Sequence, residues 1–201
     1  MDYDTATKEL EGMQPEPFIQ YVLALGQVWD KKQNPKLTRP YFDLALTMAR
    51  QTKMKEREAE ILFYYALYDG SHERLTEGLD HIGAAAAIFE TTAATNMLKE
   101  CLSVKGSFEH QRGAYPDGVA TYEKLLTLCS GKEDELLQAH SIEEIALMRE
   151  KMGQTEDGEK KAKEALAIFE RNQNDKGIAD CLKLLGNLAG SNDREEEAVG
   201  Y

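Results

Sequence analysis

The sequence is poor in cysteine, in basic residues and in long apolar runs, and each shortage excludes a class of protein. Its 201 residues include three cysteines, which are too few and odd in number for a disulfide framework. The longest apolar patch, 84–89, is mostly alanine and much shorter than the roughly 18 residues of a membrane span. The first residues lack the basic and apolar regions of a secretory signal. We therefore expect a reduced, cytoplasmic protein without membrane insertion.

Basic residues are outnumbered, since 24 Lys and Arg stand against 36 Asp and Glu, giving a net charge of −12. This balance disfavours binding to a phosphate backbone, so no nucleic-acid partner is expected and a basic or neutral partner is favoured. The sequence also has no glycine-rich phosphate loop, no nucleophile elbow and no paired-cysteine zinc spacing. We predict a protein that is not an enzyme and has no catalytic residues and no cofactor.

A metal site is the most specific alternative to a protein without a chemical site. His110 and His140 fall on predicted helices of adjacent repeats and, with Glu143, could meet around a metal ion. No second pair of ligands at helical spacing supports them, so ordinary groove or surface histidines are the preferred interpretation and no metal is predicted. Cys101 and Cys181 share one packing position two repeats apart, which predicts small buried side chains and neither a disulfide nor a nucleophile.

A unit of about 40 residues repeats along the chain. The tetrapeptide AIFE at 87–90 returns at 167–170. At steps of 40 a small residue recurs, with an aliphatic residue four positions before it and a large apolar residue two positions after it. These columns contain Gly26, Ala66, Gly106, Ala146 and Gly186; Val22, Leu62, Leu102, Ile142 and Leu182; and Val28, Tyr68, Phe108, Met148 and Leu188. A fixed period of this length indicates stacked supersecondary units.

Apolar residues follow helical spacing in nine segments, and no segment alternates with period two for long enough to predict a strand. We predict an all-α solenoid of four antiparallel helix pairs and a ninth, capping helix. The repeat domain is predicted at 17–190, after a lead at 1–16 that is poorly ordered or a short helix and before a disordered acidic tail at 191–201. An irregular first pair would leave apolar surface open to self-association into a homo-oligomer.

Local signals predict some helix ends. Pro40 is comfortable only in the first turn of a helix, so the second helix is predicted to begin near Leu37 or to bend. The pair at 69–70, Asp-Gly, is predicted to end the third helix. Ser130 and Glu133 have the spacing of a capping box at the start of the seventh helix.

The third repeat resembles a tetratricopeptide repeat. The family pattern is a small residue, then a glycine at the turn, then an aromatic residue, then a small residue in the second helix. The sequence matches it with Gly106, Gly113, Tyr115 and the 121–122 pair, Thr-Tyr. Residues 165–190 are similar to a repeat junction in the longer-period branch of this family. That branch includes cell-polarity adaptors and bacterial peptide-sensing regulators. The resemblance covers about residues 18–190 and is specific for fold rather than for function.

Three positions depart from the family pattern. Gln33 and Glu73 replace the turn glycine, so the first two repeats are predicted to be more irregular than the later ones. Lys105 stands in a column that is otherwise apolar, and its ammonium group is predicted to extend to water along its aliphatic stem.

The resemblance implies a right-handed superhelix whose inner groove is lined by the first helix of each pair. The groove-facing positions would be Gln20, Leu23 and Gln27; Glu60, Phe63 and Leu67; Glu100, Ser103 and Ser107; His140, Glu143 and Leu147; and Asp180, Lys183 and Asn187. These side chains do not reproduce the Lys and Asn clamp with which some family members hold a carboxylate end. The acidic ones favour a partner that carries Lys or Arg, and Phe63 and Leu67 could anchor its apolar residues.

These expectations combine into a scaffold that holds a peptide or a helix of a partner protein. Two alternatives from the same resemblance stay open, a peptide-sensing regulator of the bacterial type and a vesicle-fusion or complex-assembly adaptor. Phe63 and Tyr64 could lie in the groove or at the edge of the core, and the sequence does not separate these two placements.

Overall fold

The computed structural model describes residues 12–32 and 34–191, which form nine α-helices, one 3₁₀ turn and no strand. In chain order the helices are α1 (Pro15–Lys31), α2 (Pro35–Gln51), α3 (Lys55–Ser71), α4 (Leu75–Thr91), α5 (Thr95–Gln111), α6 (Tyr115–Leu128), α7 (Glu135–Lys151), α8 (Thr155–Arg171) and α9 (Asp175–Ser191). The 3₁₀ turn, Lys132–Asp134, lies between α6 and α7. The all-α prediction is confirmed. Most of the predicted lead and nearly all of the predicted acidic tail lie outside the described residues.

Helices begin every 20 residues, and a left-handed residue ends most of them. The residues with positive φ in these turns are Lys53, Glu73, Ala93, Gly113, Gly153 and Gln173, with φ between 54° and 75°. The next amide donates to the carbonyl five residues back, as Ala114 does to Glu109 at 2.9 Å, which is the Schellman arrangement. Gly113, the turn residue of the family pattern, is one of these left-handed residues, with φ of 75°. The predicted irregularity at Glu73 is wrong, because the same hydrogen bond forms there despite a side chain that costs roughly 1–2 kcal/mol in this conformation.

The helix that contains Pro40 starts at Pro35, which corrects the predicted start near Leu37. The amides of Leu37 and Thr38 donate to the Asn34 carbonyl at 3.1 and 3.0 Å, so the first turn forms at Asn34. Pro40 therefore lies in the interior of α2, where one helical hydrogen bond has no donor.

Two further predicted helix ends are wrong. The third helix continues through Asp69 and Gly70 to Ser71, and the Asp69 carboxylate is buried in the protein. No capping box forms at Ser130, because its amide donates to the carboxylate of Asp134 at 2.7 Å and a 3₁₀ turn precedes α7.

The chain divides into two compact units, Met1–Cys101 and Leu102–Tyr201, and the boundary falls within α5. In the first unit α1 packs against α2 and α3 packs against α4. In the second unit α7 packs against α8, and α9 packs against both α8 and α7. The hairpins α1–α2, α3–α4 and α7–α8 thus follow the predicted antiparallel pairing, with the first helix of a pair (an A helix) joined to the second (a B helix) by a short turn.

The small residues of the repeat are required where an aromatic ring lies against the A helix. A Cβ atom added to Gly26 would lie 2.5 Å from the Phe42 ring, and one added to Gly106 would lie 2.6 Å from the Tyr122 ring. Both rings come from the B helix sixteen residues later. Glycine at these positions allows ring and helix backbone to touch, which raises the packing density of the hairpin.

Two side chains, Val28 and Lys105, lie in surroundings that their repeat positions did not predict. Val28 is 44 % exposed, although Met148 and Leu188 at the equivalent positions are 0 % exposed. Lys105 does not extend freely to water, because its Nζ atom lies 2.7 Å from the Glu109 carboxylate and donates to the Thr121 hydroxyl at 3.0 Å. Glu109 is 6 % exposed, so Lys105 neutralises a carboxylate that the hairpin buries.

None of the helices in the described part of the chain is long and apolar enough to cross a membrane.

Candidate functional site

A pocket of about 910 Å³ lies in the first unit, and we call it the α3–α5 pocket. Its lining comes from the start of α1, the first half of α3, the end of α4 and the first half of α5. The lining residues are Glu16, Met54, Lys55, Glu56, Arg57, Glu60, Phe63, Tyr64, Phe89, Thr92, Ala94, Met97 and Glu100. Four carboxylates and two basic groups therefore surround a surface of aromatic and methionine side chains.

Helical spacing explains why α3 and α5 contribute these side chains. Glu56, Glu60 and Phe63 follow one another at intervals of four and three, which places them on one face of α3. Met97 and Glu100 are three positions apart and lie on one face of α5. Phe63 is 8 % exposed and Tyr64 is half-buried, and their rings meet edge to face at 5.6 Å.

Arg57 holds two of the carboxylates in place. Its guanidinium lies 2.5 Å from the Glu16 carboxylate and 2.5 Å from the Glu60 carboxylate. The pKa of Arg57 is raised above its ordinary value. The largest cause is its hydrogen bond to Glu16, and the next is its hydrogen bond to Glu60. Gln20 also donates to Glu16, at 3.0 Å. These contacts connect the start of α1 to α3 and compensate the charge of Glu60 within the chain.

Lys55, the second basic residue of the pocket lining, forms an ion pair with Glu58, which lies outside the lining. Its ammonium donates to the Glu58 carboxylate at 2.8 Å, and Arg50 donates to the same carboxylate at 3.0 Å. Burial of Glu58 opposes its ionisation, but the two hydrogen bonds outweigh burial and lower its pKa. Within the described residues, Glu56 and Glu100 of the pocket have no ion-pair partner. They are the carboxylates that remain available to a ligand.

The structure brings Glu60, Phe63 and Glu100 together in this pocket, out of the groove positions predicted in the first unit. Other predicted positions there lie apart from its lining. Leu23 is buried at 6 % exposure, and Leu67 is 39 % exposed. Gln20 is exposed, and Gln27 is half-buried.

In the second unit the predicted groove residues make separate contacts. The Ser103 carbonyl accepts from the Tyr122 hydroxyl at 3.3 Å, and the Ser107 hydroxyl accepts from Gln111 at 3.2 Å. His140 lies 3.4 Å from the Glu143 carboxylate. The remaining positions are Leu147, which packs on the cluster around Ala146, and the exposed residues Asp180, Lys183 and Asn187.

The two histidines considered for a metal site have different partners. His110 Nδ1 lies 2.7 Å from the Glu144 carboxylate, whereas the His140 ring packs edge to face on Phe169 at 4.9 Å and contacts Glu143. Among residues 12–32 and 34–191, no group of three His, Cys, Asp or Glu side chains could hold a metal ion.

The buried cysteines give a direct prediction of reactivity. Cys101 and Cys181 are 0 % exposed, and burial raises the pKa of each thiol to about 12. At pH 8 the thiolate fraction of each would be only ~10⁻⁴, so both should react slowly. In a native labelling experiment with a thiol-reactive disulfide, the half-buried Cys129 should react at least about tenfold faster than either of them. Denatured protein, as the control, should release all three thiols; equal native rates would contradict the burial.

No family model matches the sequence, and no curated protein matches it. Solved structures do match its fold. The apo form of RapI superposes with a TM-score of 0.81 at 14 % identity, covering 90 % of this chain and 66 % of RapI. A signal-transduction ATPase with numerous domains from Pyrococcus horikoshii, which carries a tetratricopeptide repeat sensor, gives a TM-score of 0.83 at 13 % identity over 96 % of this chain and 31 % of that one. A Rap protein complexed with Competence and Sporulation Factor gives a TM-score of 0.63 at 15 % identity over 97 % and 56 %. The chain has the tetratricopeptide-repeat fold.

This repeat fold confirms the resemblance found in the sequence. At these identities the likeness concerns the fold and carries no activity or partner with it. The chain spans between 31 % and 66 % of the lengths of the three structures.

Several lining residues of the α3–α5 pocket were missed by the sequence analysis. Glu56 and Met97 lie one turn before the predicted positions Glu60 and Glu100 on the same helix faces. Extending the groove pattern towards the helix starts would have found them. Glu16 and Arg57 carry no such signal, because their pairing depends on how α1 lies beside α3.

Proposed function

We propose that this tetratricopeptide-repeat protein is a non-enzymatic interaction scaffold that binds a peptide or a helix of a partner protein in the α3–α5 pocket. The observation that carries the proposal is the combination of an apolar surface with two carboxylates that have no ion-pair partner in the part of the chain that the structure describes. Phe63, Tyr64 and Met97 offer contact to an apolar side chain, and Glu56 and Glu100 offer charge to a basic one. A cytoplasmic location agrees with three cysteines that form no disulfide.

The charges of the pocket specify the class of partner. Arg57 neutralises much of the charge of Glu16 and Glu60, and Lys55 is held by Glu58. A ligand that carries Lys or Arg would therefore gain most from the unpaired carboxylates. A ligand carboxylate would meet basic groups that are already occupied, as well as the repulsion of those two glutamates.

Replacing Glu100 with lysine should weaken a basic ligand about tenfold or more, because it inverts one of the two unpaired charges. The probe is a fluorescent peptide of alternating lysine and leucine, titrated with the full chain and followed by anisotropy. Binding should weaken as salt increases, and this dependence should be smaller for Glu100→Lys than for the unmodified chain.

Glu77→Lys is the matched control, since Glu77 is exposed on α4, lies outside the pocket lining and changes the net charge equally. It should leave the affinity within about twofold. A peptide of alternating glutamate and leucine should bind more weakly than the basic one. If Glu100→Lys and Glu77→Lys bind the basic peptide equally, the pocket is not the binding site.

A second candidate function is a regulatory protein that senses a ligand. It is favoured by the fold match to a tetratricopeptide repeat sensor and to a Rap protein held in complex with a factor. Hydrogen exchange with the basic peptide separates the two candidates. A scaffold should gain protection only in α1 to α5, whereas a sensor should also change exchange in α7 to α9.

A further inference from the structure

Arg57 puts a guanidinium among the carboxylates of the α3–α5 pocket. At steps of 40 residues, the equivalent positions on α1, α5, α7 and α9 hold uncharged residues, which are Pro17, Met97, Leu137 and Gly177. Helix packing in the other repeats therefore accommodates a residue without charge at this position. The charge of Arg57 is not required by the repeat fold, which points to a role in the pocket itself.

The guanidinium lies between two carboxylates of the pocket lining. It is 2.5 Å from the Glu16 carboxylate at the start of α1 and 2.5 Å from the Glu60 carboxylate of α3. The side chain of Arg57 is 33 % exposed and those of Glu16 and Glu60 are 36 % and 29 % exposed, so a ligand at the pocket can reach all three. Arg57 thus already makes the contacts that a Lys or Arg of a basic ligand would make with these carboxylates.

The next repeat contains the same pair of positions without the arginine. Met97 and Glu100 on α5 stand one period after Arg57 and Glu60, and both of them line the pocket. A methionine cannot compensate a carboxylate, and Glu100 has no ion-pair partner in the described part of the chain. One lining therefore holds a charge-compensated glutamate on α3 and an uncompensated one on α5.

We propose that Arg57 is a specificity-determining residue, which competes with the basic side chain of a ligand for Glu16 and Glu60. A Lys or Arg that enters the pocket reaches these carboxylates only by displacing the guanidinium, so two ion pairs are broken for those that form and the net gain is small. Glu56 and Glu100 offer the same charge without that loss. The inference rests on the proposed function and adds that the chain limits its own affinity for basic ligands through one side chain.

A purely structural role for Arg57 would have the opposite effect on binding. Arg57 connects the start of α1 to α3 through Glu16. If it only held the lining together, its removal would loosen the pocket and weaken a ligand. Removal of a competitor instead strengthens a basic ligand, because Glu16 and Glu60 lose the group that compensates them. The direction of the change in affinity therefore separates the two roles.

Arg57→Met gives α3 the residue pair that α5 has by nature. The probe is again the fluorescent peptide of alternating lysine and leucine, titrated with the full chain. The variant should bind it about three- to tenfold more tightly than the unmodified chain does, because two half-exposed carboxylates are released. Its affinity should also depend more strongly on salt. Arg57→Lys keeps a charge that can pair with the glutamates, and its affinity should lie between the two.

Two further variants separate release of the glutamates from a change in overall charge. Arg171→Met removes one positive charge from an exposed position of α8 outside the pocket lining, and it should leave the affinity within about twofold. Lys55→Met removes a positive charge from the lining itself. It releases only Glu58, which lies outside the lining and still accepts from Arg50 at 3.0 Å. Lys55→Met should therefore strengthen the peptide less than Arg57→Met does.

Met97→Arg tests the converse on α5. An arginine at this position has the same three-residue spacing to Glu100 that Arg57 has to Glu60, so it can compensate the glutamate in the same way. The basic peptide should bind about three- to tenfold more weakly. Met97→Gln is its control, because it removes the apolar side chain without adding a charge, and it should weaken the peptide less.

Tighter binding by Arg57→Met than by Arg171→Met and Lys55→Met supports the proposal. Unchanged or weaker binding by Arg57→Met overturns it, and so does a Met97→Arg chain that binds as well as the Met97→Gln chain. If either of these results accompanies the expected loss in Glu100→Lys, the pocket still binds the peptide and the proposed function stands. If the basic peptide does not bind, or if Glu100→Lys binds it no more weakly than the exposed-site control, the proposed function and this inference are both wrong.

Discussion

Truncating Phe169 to alanine should lower the free energy of unfolding by about 3–5 kcal/mol. Phe169 is 0 % exposed and belongs to the core of the second unit with Ala139, Ile142, Ala165 and Cys181. Three of these neighbours are small and cannot move to fill the space of a phenyl ring. A cavity would remain, and the loss of burial and of packing contacts would add.

Urea unfolding followed by circular dichroism measures this loss. The midpoint should decrease by roughly 2 M, given the urea dependence usual for chains of this size. Phe169→Leu should cost less, about 1–1.5 kcal/mol, since most of the volume is kept. Leu136→Ala, at a side chain that is 40 % exposed, should change stability by less than about 0.5 kcal/mol. Equal midpoints for Phe169→Ala and Leu136→Ala would contradict the buried position of Phe169.

Removing the buried carboxylate of Asp69 should destabilise the first unit by about 2–4 kcal/mol. Asp69 is 0 % exposed and accepts from Arg74 at 2.6 and 2.9 Å, and its second oxygen lies 2.8 Å from Nδ1 of His81. The side chains of Arg74 and His81 are 27 % and 25 % exposed. Because both can recover some water contact, the loss should be smaller than for a fully buried pair.

The fluorescence of Trp29, the one tryptophan of the sequence, reports unfolding of this unit. Asp69→Ala should unfold at a lower urea concentration than the unmodified chain, with Asp69→Asn between them because its amide oxygen can still accept a hydrogen bond. Asp80→Ala is the control, since Asp80 is exposed on the neighbouring α4. A variant at Asp69 as stable as the one at Asp80 would show that this network contributes nothing.

The Asp69 network should also make stability depend on pH. Burial of Asp69 opposes its ionisation, but the hydrogen bonds from His81 and Arg74 outweigh burial and lower its pKa. A carboxyl whose pKa is lower in the folded state stabilises the fold above its unfolded pKa of about 4, and this contribution is lost as the pH falls towards the folded value. The difference in unfolding free energy between the unmodified chain and Asp69→Asn should therefore shrink as the pH is lowered from about 5 to 3. A constant difference would contradict the lowered pKa.

The sequence predicted the fold more fully than the site. Periodic columns such as Gly26 to Ala146 specify which helix face is buried, because packing between helices requires the same size at the same position in every repeat. Glu60, Phe63 and Glu100 were expected in a groove and do line one pocket. The pairing of Arg57 with Glu16 could not be read from the columns, because these two residues lie 41 positions apart in the chain, whereas the pair of Arg57 with Glu60 joins neighbouring turns of one helix.

The number of helices among the described residues, their type and their 20-residue spacing were determined by the sequence itself, since they depend on the local period of apolar residues and on turns that close by local backbone hydrogen bonds. Only the tertiary structure decided that Pro40 lies inside α2, that Lys105 pairs with Glu109, and that Tyr21 and Val28 are exposed. It also decided that Glu56 and Glu100 have no ion-pair partner within residues 12–32 and 34–191. These outcomes depend on which side chains of other helices reach a given point. Those side chains belong to residues far apart in the chain. The residue type at one repeat position therefore does not indicate which side chains from other helices contact it.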